Sequence, residues 1–244
     1  MLIRLYVRLC FSFSLYLSPN VDMYTERADD VLCPTGWAIS AGANREDLTS
    51  ISSLKDSKIG VSRIGSGSYV MGYVLADQNN WLQSPSTPPF EFIPLQTFAK
   101  LRDGVNDKTI DFFMWEHFTS KKYYDNGEIK RIGEIYTPWS SWKIVASTQT
   151  TEKGDKRVEE LFEKLDKGIE YFEENVEESV RYIGSELDYS EEDAREWLKT
   201  VKFTKGTRGV GESVVEKTVG ILKKAGVLTD GGMGVEEMVS IKRD

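Results

Sequence analysis

Three short stretches of the chain carry groups that can hold a small polar ligand. Arg63-Ile-Gly-Ser-Gly-Ser68 offers successive backbone N–H groups, two hydroxyls and a guanidinium, and its glycines let a ligand approach the main chain. Gln96-Thr97 adds an amide and a hydroxyl. Trp115-Glu116-His117 adds a planar ring for stacking, a carboxylate that accepts hydrogen bonds or pairs a cation, and an imidazole. This inventory suits binding better than bond-making. The glycine-serine loop is neither G-x-x-x-x-G-K-[ST] nor a complete G-x-G-x-x-G, so a Walker-type nucleotide site is rejected. No serine or cysteine nucleophile stands in a recognised motif. A lone Glu116–His117 pair is a weak basis for acid–base catalysis. Two of the stretches also have a plain structural reading. A serine of the glycine-serine loop can cap a tight strand-to-helix turn, Trp115 can close the core, and Glu116 can pair with a surface lysine.

The elements around these stretches place them together. Lys58 to Ser62 reads as a strand entering the glycine-serine loop, and Tyr69, Val70, Val74 and Leu75 then recur at helical spacing up to Trp81. Ser84 to Pro89 is a loop by composition. Phe90 to Leu95 is a second strand, with Pro94 near its end. Thr97 opens a second helix with Phe98, Leu101 and Val105 on one face; Gly104 weakens it and Asn106-Asp107 close it. Ile110 to Met114 is a third strand. A βαβαβ series with short connections implies a parallel sheet with right-handed crossovers. Ligands bind such sheets beyond the carboxyl ends of the strands. Those ends are the three stretches above.

The flanks are less specific. Cys33 to Ser40 and Ser141 to Ser147 read as further strands suited to crossing between lobes. Trp37, Trp139 and Trp142 lie in or beside them and read as core or lobe-packing residues rather than ligand platforms. Thr119 to Tyr136 is polar and aromatic without a clear period. From Val158 the apolar positions Leu161, Phe162, Leu165, Ile169, Phe172 and Val176 mark one amphipathic helix. Ser190 to Asp193 starts another that carries Ala194, Trp197, Leu198 and Val201. A further helix starts at Ser213 to Glu216 and ends at Lys223-Lys224 and Gly226.

Composition narrows the function classes. The 244 residues carry a net charge of −8, with 40% hydrophobic and 29% charged residues, enough for a real core. Residues 151–200 hold 17 acids against 8 bases, which reads as a solvated helical surface. The acidic balance argues against non-specific nucleic-acid binding. Cys10 and Cys33 cannot make a disulfide framework or a four-ligand zinc site, and His117 is the only histidine, so no metal is expected. Met1 to Ser18 has two arginines, no acid and many apolar residues. It is too short and broken to span a membrane. It reads as a targeting segment or as a stretch without a structural role, and Asn20 to Asp30 as a polar linker.

The phrases KIGVSRIGSGSYVMG and FFMWEHFTSKKYYDNGEIKRIGEIYTPW resemble type II periplasmic-binding-protein-like proteins. The nearest likeness is to a fungal, intracellular branch similar to binding proteins for nitrate, taurine, sulfonates and thiamine pyrimidine precursors. The likeness runs from about Leu32 to Leu228. It implies an α/β fold of two lobes closing as a Venus flytrap. Residues 31–52 would give a first-lobe strand and crossover, 53–140 the second lobe, and 141–229 a crossover and the helical remainder of the first lobe. Residues 1–30 are unmatched, and 230–244 form a tail. Members of the branch carry more strands before the region of Leu32, so the first lobe is expected to be incomplete. Ser66-Gly67-Ser68 would match the ligand-anchoring loop, and Trp115 and Glu116 the cleft-facing strand end.

The resulting expectation is a non-catalytic protein that binds a small polar, anionic or heteroaromatic molecule by hinge closure. Its expected site comprises Arg63, Ser66, Gly67, Ser68, Gln96, Thr97, Trp115, Glu116 and His117. No cofactor, nucleic acid or membrane span is expected, and the expected location is cytoplasmic, or secreted if Met1 to Ser18 is a signal. The alternatives are an enzyme resembling the fungal thiamine-pyrimidine synthases, a regulatory module, or a truncated product without function. The resemblance implies that those enzymes need a cysteine-rich motif and histidine chemistry, and two isolated cysteines and one histidine argue against them.

Overall fold

The computed structural model describes residues 21–24, 36–82, 87–139, 144–147, 156–187, 189–203, 206–224, 228, 234–239 and 241–242. Met1 to Ser18, both cysteines, Trp142 and Gly226 lie outside the described residues. The chain divides into two compact units. One comprises Pro34–Pro138 with Gly220–Thr229; the other comprises Met1–Cys33, Trp139–Val219 and Asp230–Asp244.

Strand β1 (Val21–Tyr24) belongs to the second of these units and β2 (Gly36–Gly42) to the first. A short 3-10 turn, Ile51–Leu54, precedes β3 (Lys58–Val61). Helix α1 (Gly67–Gln78) follows, then β4 (Glu91–Pro94), α2 (Phe98–Asn106), β5 (Phe112–Glu116), α3 (His117–Asp125) and β6 (Ile129–Tyr136). The five strands β2 to β6 form one sheet in the order β4-β3-β5-β2-β6. β3 is parallel to both β4 and β5, while β2 runs antiparallel to β5 and β6. The three strands read from the sequence are therefore adjacent and run the same way. Their carboxyl ends share one edge.

Helices cover both faces of this sheet, as parallel strands require. Leu101 and Val105 of α2 pack with Ile110, Phe113 and Ile129, and Trp115, Tyr123 and Tyr124 close over them. Val70, Met71, Val74 and Leu75 of α1 are buried, and Tyr69 and Tyr73 meet Phe92 of β4.

Four features depart from the sequence reading. The third strand begins two residues later than Ile110 and takes in Trp115 and Glu116, because β2 supplies ladder partners there: Ala38 opposite Trp115 and Trp37 opposite Glu116. Thr119 to Tyr136 holds the rest of α3 and all of β6. The polar stretch Asn20 to Asp30 contains β1, which pairs antiparallel with β7 (Ile144–Ser147). The single helix expected from Val158 to Val176 is two, α4 (Arg157–Glu174) and α5 (Val176–Glu186). Asn175 breaks them at φ −121°, ψ 49°, and Val176 starts the second helix as an exposed residue instead of ending a buried stripe.

Later in the chain the sequence signals hold. Ser190 caps α6 (Glu191–Thr200), its hydroxyl accepting from the Asp193 N–H at 3.0 Å. Helix α7 (Glu212–Lys224) starts one residue before Ser213 and ends at the paired lysines. Val210 and Val215 form a small core with Val239, against which Val235 and Met238 of α8 (Val235–Met238) pack.

Candidate functional site

All three helices that follow a parallel strand begin at the same edge of the sheet, and each start is capped. Ser66 caps α1: its hydroxyl accepts from the Tyr69 N–H at 3.3 Å, and its carbonyl accepts from the Val70 N–H. Those two bonds leave the N–H groups of Gly67 and Ser68 as the remaining donors of the first turn. Thr97 caps α2, its hydroxyl accepting from the Lys100 N–H at 3.2 Å. Glu116 caps α3, its carboxylate accepting from both the N–H and the hydroxyl of Thr119 at 2.7 and 2.9 Å.

The serine hydroxyls serve the turn. Ser66 and Ser68 are each 2% exposed and hydrogen-bond each other at 3.0 Å. The Ser68 hydroxyl also accepts from the Ser62 N–H at the end of β3. The capping reading of these residues is the one realised locally, and it leaves the backbone N–H groups of Gly67 and Ser68 outside the capping bonds. Gln96 stands at φ +72°, its N–H bonded to the Ser62 carbonyl at 3.0 Å and its side-chain oxygen accepting from Lys100 Nζ at 3.1 Å. That bond fixes a cation beside the start of α2. Arg63 follows β3 on the same edge.

The strand pleat divides the third stretch between two faces. Trp115 lies on the α2 face, where its ring stacks on Phe98 at 5.0 Å and 18°. Glu116 lies on the opposite face, together with Trp37 across the β2–β5 pair. Trp115 therefore gives one ring face to the core, while Glu116 spends its carboxylate on the cap of α3. His117 opens α3 with a half-buried ring, and its Nδ1 is buried without a hydrogen-bond partner. Burial pushes its pKa below the usual histidine range. Arg131 and Lys121 push the same way, against Glu116 and Glu134.

The structure adds Trp37, which the sequence reading had treated as packing. Its ring lies against Gly67 at the start of α1, and its indole nitrogen is buried with no hydrogen-bond partner. Nothing in the local sequence around Trp37 signals this. Its place follows from β2 inserting antiparallel beside β5. Tyr136, at the same edge on β6, is half-exposed beside Gly36.

The N-termini of α1 and α2 carry positive partial charge, and Lys100 adds a full one. Only at α3 does Glu116 offset the dipole. Among the described residues, no three of His, Cys, Asp or Glu gather as metal ligands, and no helix is long and apolar enough to cross a membrane.

Residues 37–135 match the family model described as Ca3427-like PBP. The chain is also similar to the Candida albicans CA3427 gene product, described as defining a family with the generic periplasmic-binding-protein fold. Identity is 38% with a TM-score of 0.77, over 100% of this chain and 79% of that one. The alkanesulfonate-binding protein SsuA of Xanthomonas axonopodis pv. citri, bound to MOPS, shares 12% identity at a TM-score of 0.66, over 96% and 76% of the two chains. The aliphatic sulfonate-binding protein SsuA of Escherichia coli shares 10% at 0.61, over 97% and 76%. No curated protein matches the chain. At such identities the two SsuA proteins speak for the fold alone.

Proposed function

Because this chain belongs to the Ca3427-like family of periplasmic-binding-protein-fold proteins, we propose that it binds a small oxyanion without transforming it. The observation that carries this reading is the convergence of the starts of α1, α2 and α3 on one sheet edge. Two of those starts keep their N-terminal field, and the Gly67 and Ser68 N–H groups are left for a ligand oxygen. The fold supports solute binding, and the sulfonate ligands of the SsuA proteins make a sulfonate a sensible first probe. Closure on the ligand by hinge motion belongs to the same proposal.

The test is calorimetry of the full chain with sulfate, nitrate, methanesulfonate and a neutral heteroaromatic amine. Saturable binding of at least one anion, and none of the neutral amine, is the expected result. Binding of the amine alone, or of no anion, overturns the reading. Small-angle scattering with and without the bound anion tests closure. A smaller radius of gyration in the bound state is expected, and an unchanged one removes the hinge.

A further inference from the structure

His117 is the only histidine in the chain. It is the first residue of α3, at the edge where the three helices begin. Its ring stands edge-on to Phe118, with centroids 4.9 Å apart and planes at 78°. The two ring nitrogens are not equivalent. Nδ1 is buried and meets no hydrogen-bond partner. The ring is only half-buried, so Nε2 is the nitrogen left to meet solvent or a ligand.

The surroundings decide where the proton sits. Four charged groups act on the ring: Glu116 from β5, Lys121 from α3, and Arg131 and Glu134 from β6. Arg131 and Glu134 are themselves ion-paired, so their fields at the ring oppose each other. With the proton on Nε2, the N–H can find an acceptor, and only a lone pair is left at the buried nitrogen. Moving the proton to Nδ1 would bury a donor with nothing to receive it. Protonating both nitrogens would bury that donor and a charge together. The lowered pKa agrees with this geometry.

We propose that His117 is a specificity-determining residue of this edge, a neutral imidazole whose Nε2–H donates to an acceptor oxygen of the bound anion. The proposal rests on the oxyanion reading given above and sharpens it. The favoured ligand presents an acceptor oxygen to a neutral donor, and its affinity does not climb when histidines elsewhere would become charged.

The test uses the full chain labelled with nitrogen-15 histidine, in which a single pair of ring nitrogens reports. At pH 7 the spectrum should show the Nε2–H tautomer, with a titration midpoint below 6.5. Saturating methanesulfonate should shift the Nε2 signal more than that of Nδ1. By calorimetry its Kd should stay within twofold from pH 8 to 6.5 and weaken about tenfold in His117→Phe. An Nδ1–H tautomer, or a midpoint at or above 6.5, overturns the proposal without need of any variant. If methanesulfonate binds but leaves both ring signals unmoved, His117 is not in the site, while the oxyanion reading stands. If no anion binds, the oxyanion reading fails and this role falls with it, whatever the tautomer.

Discussion

Trp37 fills the space of the side chain that Gly67 lacks: a Cβ built on Gly67 would stand 3.1 Å from Cη2 and 3.2 Å from Cζ2 of the indole. This contact ties the first strand of the sheet unit to the helix start that holds the two remaining backbone donors. Gly67→Val therefore forces the indole away and disturbs the donors. Methanesulfonate affinity is expected to fall at least tenfold. Gly65 is the matched control. It has open space around it but sits at φ +75°, so Gly65→Ala costs about 1–2 kcal/mol of stability from left-handed backbone strain, with affinity within twofold. Calorimetry and urea unfolding on both variants separate the two effects. Equal affinities would show that the Trp37 contact has no bearing on binding.

Ser66 and Ser68 are bound to each other and to the main chain, so their loss registers first as stability. Ser66→Ala removes a helix cap, worth about 1 kcal/mol. Ser68→Ala leaves the Ser62 N–H without its acceptor, worth about 1–3 kcal/mol if that group stays buried. The double variant is expected to lose about 2–4 kcal/mol in urea unfolding, with affinity falling as the α1 start loosens. Stability unchanged within about 0.5 kcal/mol would contradict the capping geometry.

The parallel centre of the sheet was legible because its signals are local. β3, β4 and β5 are short apolar runs bounded by turn residues, and each hands over to a helix at Ser66, Thr97 or Glu116. What the sequence hid is non-local. The position of β2 between β5 and β6 depends on which backbone edges meet, and no residue near Trp37 encodes that choice. β6 escaped notice because its two buried residues, Ile129 and Ile135, lie six apart with Arg131 and Gly133 between them, and the ladder slips opposite Ile39 and Ser40. α3 was masked by Lys121 and Lys122 beside Tyr123 and Tyr124, a mixture without a dominant apolar stripe. The division of Trp115 from Glu116 follows from the pleat alone, but only once both residues are known to lie within the strand.

A single histidine makes the pH dependence of stability readable. The folded-state pKa of His117 is lowered below 6.5, chiefly by burial. As pH falls through 6.5 the unfolded chain takes up the proton first. Stability present at pH 7 is then lost until the folded-state pKa is reached, where the loss levels off. His117→Phe should flatten the profile as pH falls from 7 through 6.5. A second window belongs to Asp47, drawn down from 3.8 to about 2 by its hydrogen bonds with Arg45. Its contribution is present above pH 4 and disappears as pH falls towards 2, so Asp47→Asn should lower the plateau above pH 4 and flatten the acid limb below it. Urea midpoints taken every half unit decide both. A slope through pH 6 that survives in His117→Phe would assign it to another group.

Arg102 is linked to Trp115 at the sheet edge through Phe98. Its guanidinium lies 3.7 Å from the Tyr123 ring centroid and 4.7 Å from that of Phe98, and it pairs with Glu128 at 2.6 Å. Phe98 in turn stacks on Trp115. A planar guanidinium can cover two rings and keep its carboxylate partner, whereas an ammonium on a flexible stem cannot do all three. Arg102→Lys keeps the charge and is expected to cost about 1 kcal/mol, the scale of a partly desolvated cation–π contact. Trp115→Ala removes a partly buried indole and should cost about 2 kcal/mol, short of the 3–5 seen for full burial. The two residues reach each other through Phe98, so the double variant should lose less than the sum of the singles. A double-mutant cycle in urea measures this directly. Strict additivity would mean that Phe98 does not transmit the position of Arg102 to Trp115.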